Sequence, residues 1–385
     1  MPKVVHYVQR FLSLTENWVY TQIINTKQYL PIILTAKRIN EDNYPIKTSY
    51  SLENDLNDKS ILFNKVISKL CKYNYYYYQC IKKESPDIIH AHFGNAAYEI
   101  LNIKKKLNIP LITTFYGFDI SMLPKMDKWL KRFRELFDEG DLFLVEGPYM
   151  AQSLIKLGCP KSKVKIHHLG INIMNLPFQP RSWDGDAPFK VLIAASFQEK
   201  KGIPYAIEAL GRIQKEIPLE ITIIGDSNLE KRSQIEKEKI LKMIRSNNLT
   251  TRTRLLGYQP HSVLIDQAYK HHAFLSPSIV SSDGDTEGGA PVSIIEMAAS
   301  GMPIISTNHC DIPEVIRHGM TGLLAEEKNV DQLVQNLRWL VTNRDWGRML
   351  IASRQHIESE YDSIKQGIRL ENIYREVTNL CQIAR

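Results

Sequence analysis

Two glutamates and the loop between them carry the most pointed chemistry in this chain. Glu287 and Glu296 bracket the run EGGAPVSIIE, in which Gly288-Gly289-Ala290 leads through Pro291 and Val292 into an apolar stretch. Proline is favoured in the first turn of a helix, and glycine lets backbone approach a ligand closely. A helix starting near Pro291 aims free N–H groups and its positive dipole end at whatever lies over the glycines. That is a site for phosphate. Glu296 is the only charge in VSIIEMAASG, and its helical neighbours Val292, Ser293, Ala299 and Ser300 are mostly small. Burying a charge unpaired is costly, so this carboxylate needs donors. Ribose hydroxyls would serve, and so would a backbone N–H in a purely structural role.

The run EGGAPVSIIEMAASGMPIIST, followed by DIPEVIRHGMTGLLAE, resembles the donor-site signature of the family-4 retaining glycosyltransferases of the GT-B fold. Within that family it is most similar to the branch that builds bacterial exopolysaccharide and lipopolysaccharide chains, of which the colanic-acid enzymes are typical. The resemblance implies that Glu287 contacts the transferred sugar. The backbone from Gly288 to Val292 then cradles sugar and diphosphate, and Glu296 holds the ribose. Eight residues separate the two glutamates, one more than the family's usual spacing, and the extra residue falls in a glycine loop that can bulge.

Other stretches resemble the family with substitutions. The loop Ser196-Phe197-Gln198-Glu199-Lys200-Lys201-Gly202 is similar to Gly-Arg-x-x-x-x-Lys-Gly, whose cations grip the donor diphosphate. Lys201 matches the lysine, Ser196 stands at the arginine position, and Lys200 is a possible helper; a loop lysine that is merely solvated is the plainer alternative. Tyr116-Gly117-Phe118-Asp119 is similar to His-Gly-x-Asp, where the histidine approaches the reacting sugar. A phenol can donate a hydrogen bond there but cannot become a cation near neutral pH. Tyr116, Lys201 and Glu287 are thus the residues expected at the reacting centre. Gly225 and Tyr258, at strand ends, are expected beside the nucleotide. On the acceptor side, FLSLTENW resembles the S-E-T-F variant of the exopolysaccharide branch. Thr15, Glu16 and Asn17 would contact substrate or simply cap the next helix, and His92 and Asp119 would line the acceptor side.

The resemblance further implies a nucleotide-diphosphate sugar as co-substrate, UDP-linked ahead of GDP-linked, with no cofactor and no metal. The anomeric configuration would be retained, the leaving phosphate taking the acceptor proton, and the acceptor would be a saccharide or a polyprenyl-diphosphate-linked saccharide. A sugar-nucleotide epimerase of the same fold is the enzymatic alternative, although no extra acid/base groups are evident for it. A catalytically weakened partner or scaffold subunit is the other, motivated by Ser196 and Tyr116.

The elements that must position these residues follow from length and periodicity. At 385 residues, with 43% hydrophobic and 24% charged residues, the chain reads as soluble protein of two domains. Short apolar runs such as Lys3–Val8, Leu30–Ala36, Ile88–His92, Pro110–Phe115, Val191–Ala195 and Ala273–Ser276 alternate with helical stretches. That alternation predicts an α/β architecture of parallel, doubly wound sheets. The turn-rich Asn175–Lys190 marks a boundary. The expectation is two Rossmann-like domains facing across a cleft: an acceptor domain over 1–178 with a returning helix over 364–385, and a donor domain over 179–363.

Charge is uneven. Residues 1–178 hold 24 Lys and Arg against 16 Asp and Glu, whereas 179–385 hold 25 against 26. A basic half suggests an anionic partner. No nucleic-acid motif accompanies it, so a membrane surface or lipid-linked phosphate is the better candidate. The stretch Phe63–Lys83 reads as one helix in which Tyr73 and Tyr75–Tyr78 sit among lysines at 65, 69, 72, 82 and 83. Such a helix either lies in lipid headgroups or packs its tyrosines on its own domain. No run reaches the ~18 apolar residues of a membrane span, and the start lacks a signal peptide's apolar core. The five scattered cysteines lack metal spacing. The expected location is the cytoplasm, peripheral on the inner face of the membrane. His90 and His92 share one side of a strand, but no third ligand has matching spacing.

Overall fold

The computed structural model describes residues 1–385 apart from 14, 15, 344, 384 and 385. It divides into two compact units, Met1–Ile171 with Ser363–Arg385, and Asn172–Asp362.

In the first unit the strands are β1 (Lys3–Phe11), β2 (Leu30–Arg38), β3 (Ser49–Ser51), β4 (Ile88–His92), β5 (Leu111–Thr114), β6 (Leu142–Val145) and β7 (Val164–Ile166). They pair in the order β3-β2-β1-β4-β5-β6-β7, every pair parallel. A parallel sheet is covered on both faces, so its strands are apolar runs rather than alternations. One face packs on a core that includes Ile89, Phe115, Phe133, Phe137 and Phe143. The other buries Val4, Ile88, Ile112 and Leu144 against Leu370, Ile373, Tyr374 and Val377 of the last helix, Ser363–Ile383.

The second unit repeats the plan with β8 (Phe189–Ala194), β9 (Leu219–Ile224), β10 (Thr253–Gly257), β11 (Ala273–Ser276), β12 (Ile304–Thr307) and β13 (Leu323–Ala325). The order is β10-β9-β8-β11-β12-β13, again all parallel. In each sheet the winding direction reverses once, between β1 and β4 and between β8 and β11. Ligands of such sheets bind at the carboxyl edge beside that reversal.

One expected element is different. The stretch Phe63–Lys83 is not a single helix but parts of two, Asp58–Cys71 and Tyr75–Glu84. Lys72 turns left-handed, and the Asn74 side chain accepts the Tyr77 N–H to start the second helix. An asparagine able to cap competes with helix continuation. The break turns the tyrosines inward: Tyr77 is buried, and Tyr73, Tyr76 and Tyr78 pack against the first unit's core. Instead, the helix Asp58–Cys71 leaves Leu62, Phe63, Val66 and Leu70 exposed, at 64%, 62%, 55% and 79%.

Candidate active site

In the second unit the loops after β8 and β11 are knitted together at the carboxyl edge. The Ile279 N–H donates to the Lys200 carbonyl at 2.8 Å. Gly202, at φ +64°, lies so close to the Pro277 carbonyl that a Cβ would meet its oxygen at 1.9 Å. Ion pairs cross the same seam. Lys201 Nζ lies 2.7 Å from Glu287 Oε2, and Lys200 Nζ lies 3.1 Å from Asp285 Oδ2 and 3.0 Å from the Thr286 carbonyl. Glu287 also accepts the Ser278 hydroxyl at 2.8 Å, on Oε1. Burial opposes its ionisation, yet the Lys201 and Lys200 ammonium groups and these hydrogen bonds hold its carboxyl below the ordinary range.

The Glu287 backbone is held from a third loop. Its N–H donates to Nε2 of His309 at 3.1 Å, and His309 Nδ1 lies 2.7 Å from Glu327 Oε1. The imidazole is wholly buried. With Nε2 accepting, the ring proton sits on Nδ1 and points at the carboxylate. Gly288 follows at φ +78°, a conformation that favours glycine. The helix then runs Val292–Ala299 with Pro291 before it. Ile294 N–H already bonds the Pro291 carbonyl, whereas the half-exposed Val292 and Ser293 form the open first turn. Four residues on, Glu296 is buried, and its Oε1 lies 2.8 Å from His261 Nε2.

The other residues expected on the donor side lie on the same edge. Ser196 follows β8, half-buried, with no side-chain hydrogen bond among the described residues. Gly225 closes β9, bonding the Gly257 carbonyl, and a Cβ there would meet the Ala195 carbonyl at 1.9 Å. Tyr258 follows β10 and is exposed.

The first unit's carboxyl edge is built differently. Asp119 is wholly buried and accepts the N–H groups of Gly94, Tyr116 and Gly117 at 2.8, 3.0 and 3.1 Å. Burial raises its carboxyl to about 6 in spite of those donors. Tyr116 packs against Trp18 and Phe93, ring centres 4.2 and 4.8 Å away and both rings tilted to it. Its hydroxyl lies 2.7 Å from His92 Nδ1 and donates to Gln22 at 3.4 Å. His92 Nε2 lies 3.2 Å from His6 Nδ1, and His90 bonds Thr114 and Tyr374, both at 2.7 Å. Neither His92 nor Asp119 reaches solvent. They shape the loop from below. Glu16 precedes the helix Asn17–Asn25 without capping it through its side chain, and Thr15 lies outside the described residues.

A third histidine does join His90 and His92. His6 comes from β1, its register partner being His90, and the three ligand nitrogens lie within 4.8 Å of one another. Sequence spacing missed it because it comes from a strand 84 residues away. The nitrogens of His90 and His92 are already committed to protein groups, and burial holds all three rings neutral. The cluster reads as a buried hydrogen-bond network.

Comparison with known proteins decides the family. Residues 179–358 match the glycosyl transferases group 1 domain, and residues 52–174 match glycosyltransferase family 4. The amylovoran biosynthesis glycosyltransferase AmsK of Erwinia amylovora is 31% identical over 290 residues, covering 73% of this chain and 68% of AmsK. The chain belongs to the family-4 glycosyltransferases. The putative colanic acid biosynthesis glycosyltransferase WcaL of Escherichia coli (strain K12) is likewise 31% identical, over 65% of this chain and 60% of WcaL. The chain therefore spans about two thirds of the length of AmsK and somewhat less of WcaL. The solved structure of Anabaena HepE with UDP and glucose superposes with a TM-score of 0.77 at 12% identity, over 97% of this chain and 99% of that one. Two Rossmann-like units with parallel sheets of seven and six strands give this glycosyltransferase the GT-B fold.

Two functional candidates in this glycosyltransferase escape a reading by motif, His261 and His309. Both sit just after strands, on the carboxyl edge, four residues past the end of β10 and two past β12. That position was the available signal; the carboxylates that the two histidines meet, Glu296 and Glu327, lie 35 and 18 residues away in sequence.

Proposed function

We propose that this glycosyltransferase moves a sugar from a nucleotide-diphosphate sugar to a saccharide acceptor in bacterial surface polysaccharide synthesis, retaining the anomeric configuration and using no metal ion. The carrying observation is the Lys201–Glu287 pair at the foot of the glycine loop. In the free protein each neutralises the other. When a donor enters, its diphosphate is a better partner for Lys201, and Glu287 is released toward the sugar hydroxyls. The open first turn at Val292 and Ser293 adds N–H groups and dipole to the same anion. Negative charge growing on the diphosphate is then met by charges already in place. The bond from anomeric carbon to phosphate oxygen breaks, the acceptor oxygen bonds that carbon, and the acceptor proton passes to the leaving phosphate.

Ser196, Gly225, Tyr258, Gly288–Val292 and Glu296 complete the donor side in this reading, Tyr116 orders the loop beside the reacting centre, and Glu16 and Asn17 face the acceptor. UDP-sugars rank ahead of GDP-sugars. The acceptor is carried on a polyprenyl diphosphate, and the first unit docks on the inner face of the membrane. What supports docking is the helix Asp58–Cys71, whose exposed Leu62, Phe63, Val66 and Leu70 lie beside exposed Lys59, Lys65 and Lys69. No helix among the described residues is long and apolar enough to cross a membrane.

The test is a panel of nucleotide sugars with and without lipid-linked saccharides. Acceptor-dependent release of nucleoside diphosphate, unaffected by EDTA and giving an α-product from an α-donor, is expected. Hydrolysis alone, inversion, or loss of activity in EDTA restored by a divalent ion would overturn the corresponding part. Vesicle co-sedimentation should require anionic lipid and fall when Lys65 and Lys69 become Glu.

A further inference from the structure

Glu296 is a carboxylate in an otherwise apolar helix, and its burial demands a partner. That partner is neither a backbone N–H nor a lysine. His261, the first residue of the helix His261–Ala268, puts Nε2 2.8 Å from Glu296 Oε1. An ionised carboxylate only accepts, so the histidine proton must lie on Nε2. Among the described residues this is the one hydrogen bond that the protein makes to the carboxylate. Oε2 takes none. The His261 ring is half exposed while the Glu296 side chain is 9% exposed, so the imidazole stands at the rim and fixes one oxygen from the solvent side.

We propose that His261 is the positioning residue through which this enzyme selects a ribonucleotide. It rests on the reading of Glu296 as the ribose-holding carboxylate. With Oε1 tied to His261, the carboxylate plane cannot rotate, and Oε2 is presented as a fixed acceptor for a vicinal diol. Without the imidazole the carboxylate turns toward water, and a ribose hydroxyl must reorganise it before bonding. The phosphates, bound at Lys201 and the helix start, are untouched by this change. His261 therefore governs discrimination between ribose and deoxyribose rather than general affinity.

The experiment measures dissociation constants of UDP and GDP and of their 2′-deoxy and 3′-deoxy forms. The proteins are the wild-type full chain and the H261A, H261Q and E296Q variants. In the wild type the ribonucleotide should bind at least tenfold tighter than its deoxy forms. H261A should cut that ratio several-fold while leaving deoxynucleotide affinity within twofold, and H261Q, which keeps an N–H near the Nε2 position, should restore most of it. If H261A fails to fold, H261L replaces it. Equal weakening of ribo and deoxy forms, or an unchanged ratio, overturns the role of His261. A ratio unchanged in E296Q overturns the ribose reading of Glu296 itself, whereas a ratio lost in E296Q but kept in H261A sinks only the present inference. No binding of any diphosphate sinks both.

Discussion

The carboxyl edges of the two sheets both carry polar side chains and use them in opposite ways. In the first unit they are buried and committed to one another or to backbone, as Asp119 and His92 are. In the second they are charged and paired across loops, the lysines only partly exposed over largely buried carboxylates, as Lys201–Glu287 and Lys200–Asp285 are. A buried neutral network rigidifies but has little to hand to a ligand. A largely buried ion pair can instead pass its lysine to an incoming anion, because the ligand's charge replaces the carboxylate and leaves no buried charge unpaired. Similar folds thus yield a buried neutral network at one edge and a set of exchangeable charges at the other, the arrangement that the proposed function uses to receive an anion.

The largest test of that contrast is Lys201→Ala. If the lysine is transferred from Glu287 to the diphosphate, turnover should fall about 100- to 1,000-fold, the scale of losing one preorganised charge-stabilising group. Glu287 keeps Ser278 and nearby Lys200, so the melting temperature should move by only a few degrees. Steady-state kinetics and a thermal melt on the same sample decide it. A folded variant with near wild-type turnover would move the anion site elsewhere.

Asp119→Ala probes the other unit and should do the reverse. Three buried N–H groups lose their acceptor, and each unsatisfied group costs about 1–3 kcal/mol. A loss of at least about 3 kcal/mol by urea unfolding is expected, while nucleotide affinity of the folded fraction stays the same. Nucleotide binding that disappears with stability intact would mean that Asp119 serves the ligand after all.

Lys201, Glu287, Gly288 and Glu296 lie in contiguous motifs, so the resemblance to the family, together with the lone charge of Glu296 in an apolar run, nominated them from local sequence. Most parallel strands were legible as well, because burial on both faces makes each a short apolar run. Pairings between distant loops were not. His309 meets Glu287 and His261 meets Glu296 only because parallel winding brings successive strand ends to one edge, and His6 meets His92 because β1 and β4 are neighbours in the sheet. The break at Lys72–Asn74 was missed for a different reason. Lysine and tyrosine fit a helix on either side of it, and only the cap at Asn74 marks the restart. The three-residue strand β3 is too short to carry a pattern.

Acid should separate the units further. His6 and His167 are lowered by burial to about 3 and about 4, and His90 and His92 are lowered too. In the unfolded chain each titrates near 6.5, so below that pH the unfolded state binds more protons and stability falls. For His6 the loss at pH 5 is on the order of 2 kcal/mol. Asp119 works in the opposite sense between pH 6 and 4, one group against four. In the second unit the matching groups are His271, lowered to about 4, and the less shifted His272, while His261 is raised by its bond to Glu296. Hydrogen exchange at pH 5 against pH 7 should therefore open β1, β4 and β5 before β8 and β11. Simultaneous opening of both sheets would remove the histidine network as the cause.

The smallest expected effect is the most discriminating. Tyr116 is the residue that the resemblance to His-Gly-x-Asp would put near the reacting sugar, yet its hydroxyl is engaged with His92 and Gln22 and its ring is packed against Trp18 and Phe93. Tyr116→Phe keeps the ring and its packing and removes only the oxygen. Two buried groups lose a partner, at about 1–2 kcal/mol in all. Turnover should change by no more than about threefold, because the hydroxyl orders the loop rather than meeting the sugar. A fall of about 100-fold, the scale of general acid–base or hydrogen-bond catalysis, would show that the hydroxyl leaves His92 when substrates bind. The first unit's edge would then be an exchanging site like the second, its buried network serving as the resting place of a catalytic group.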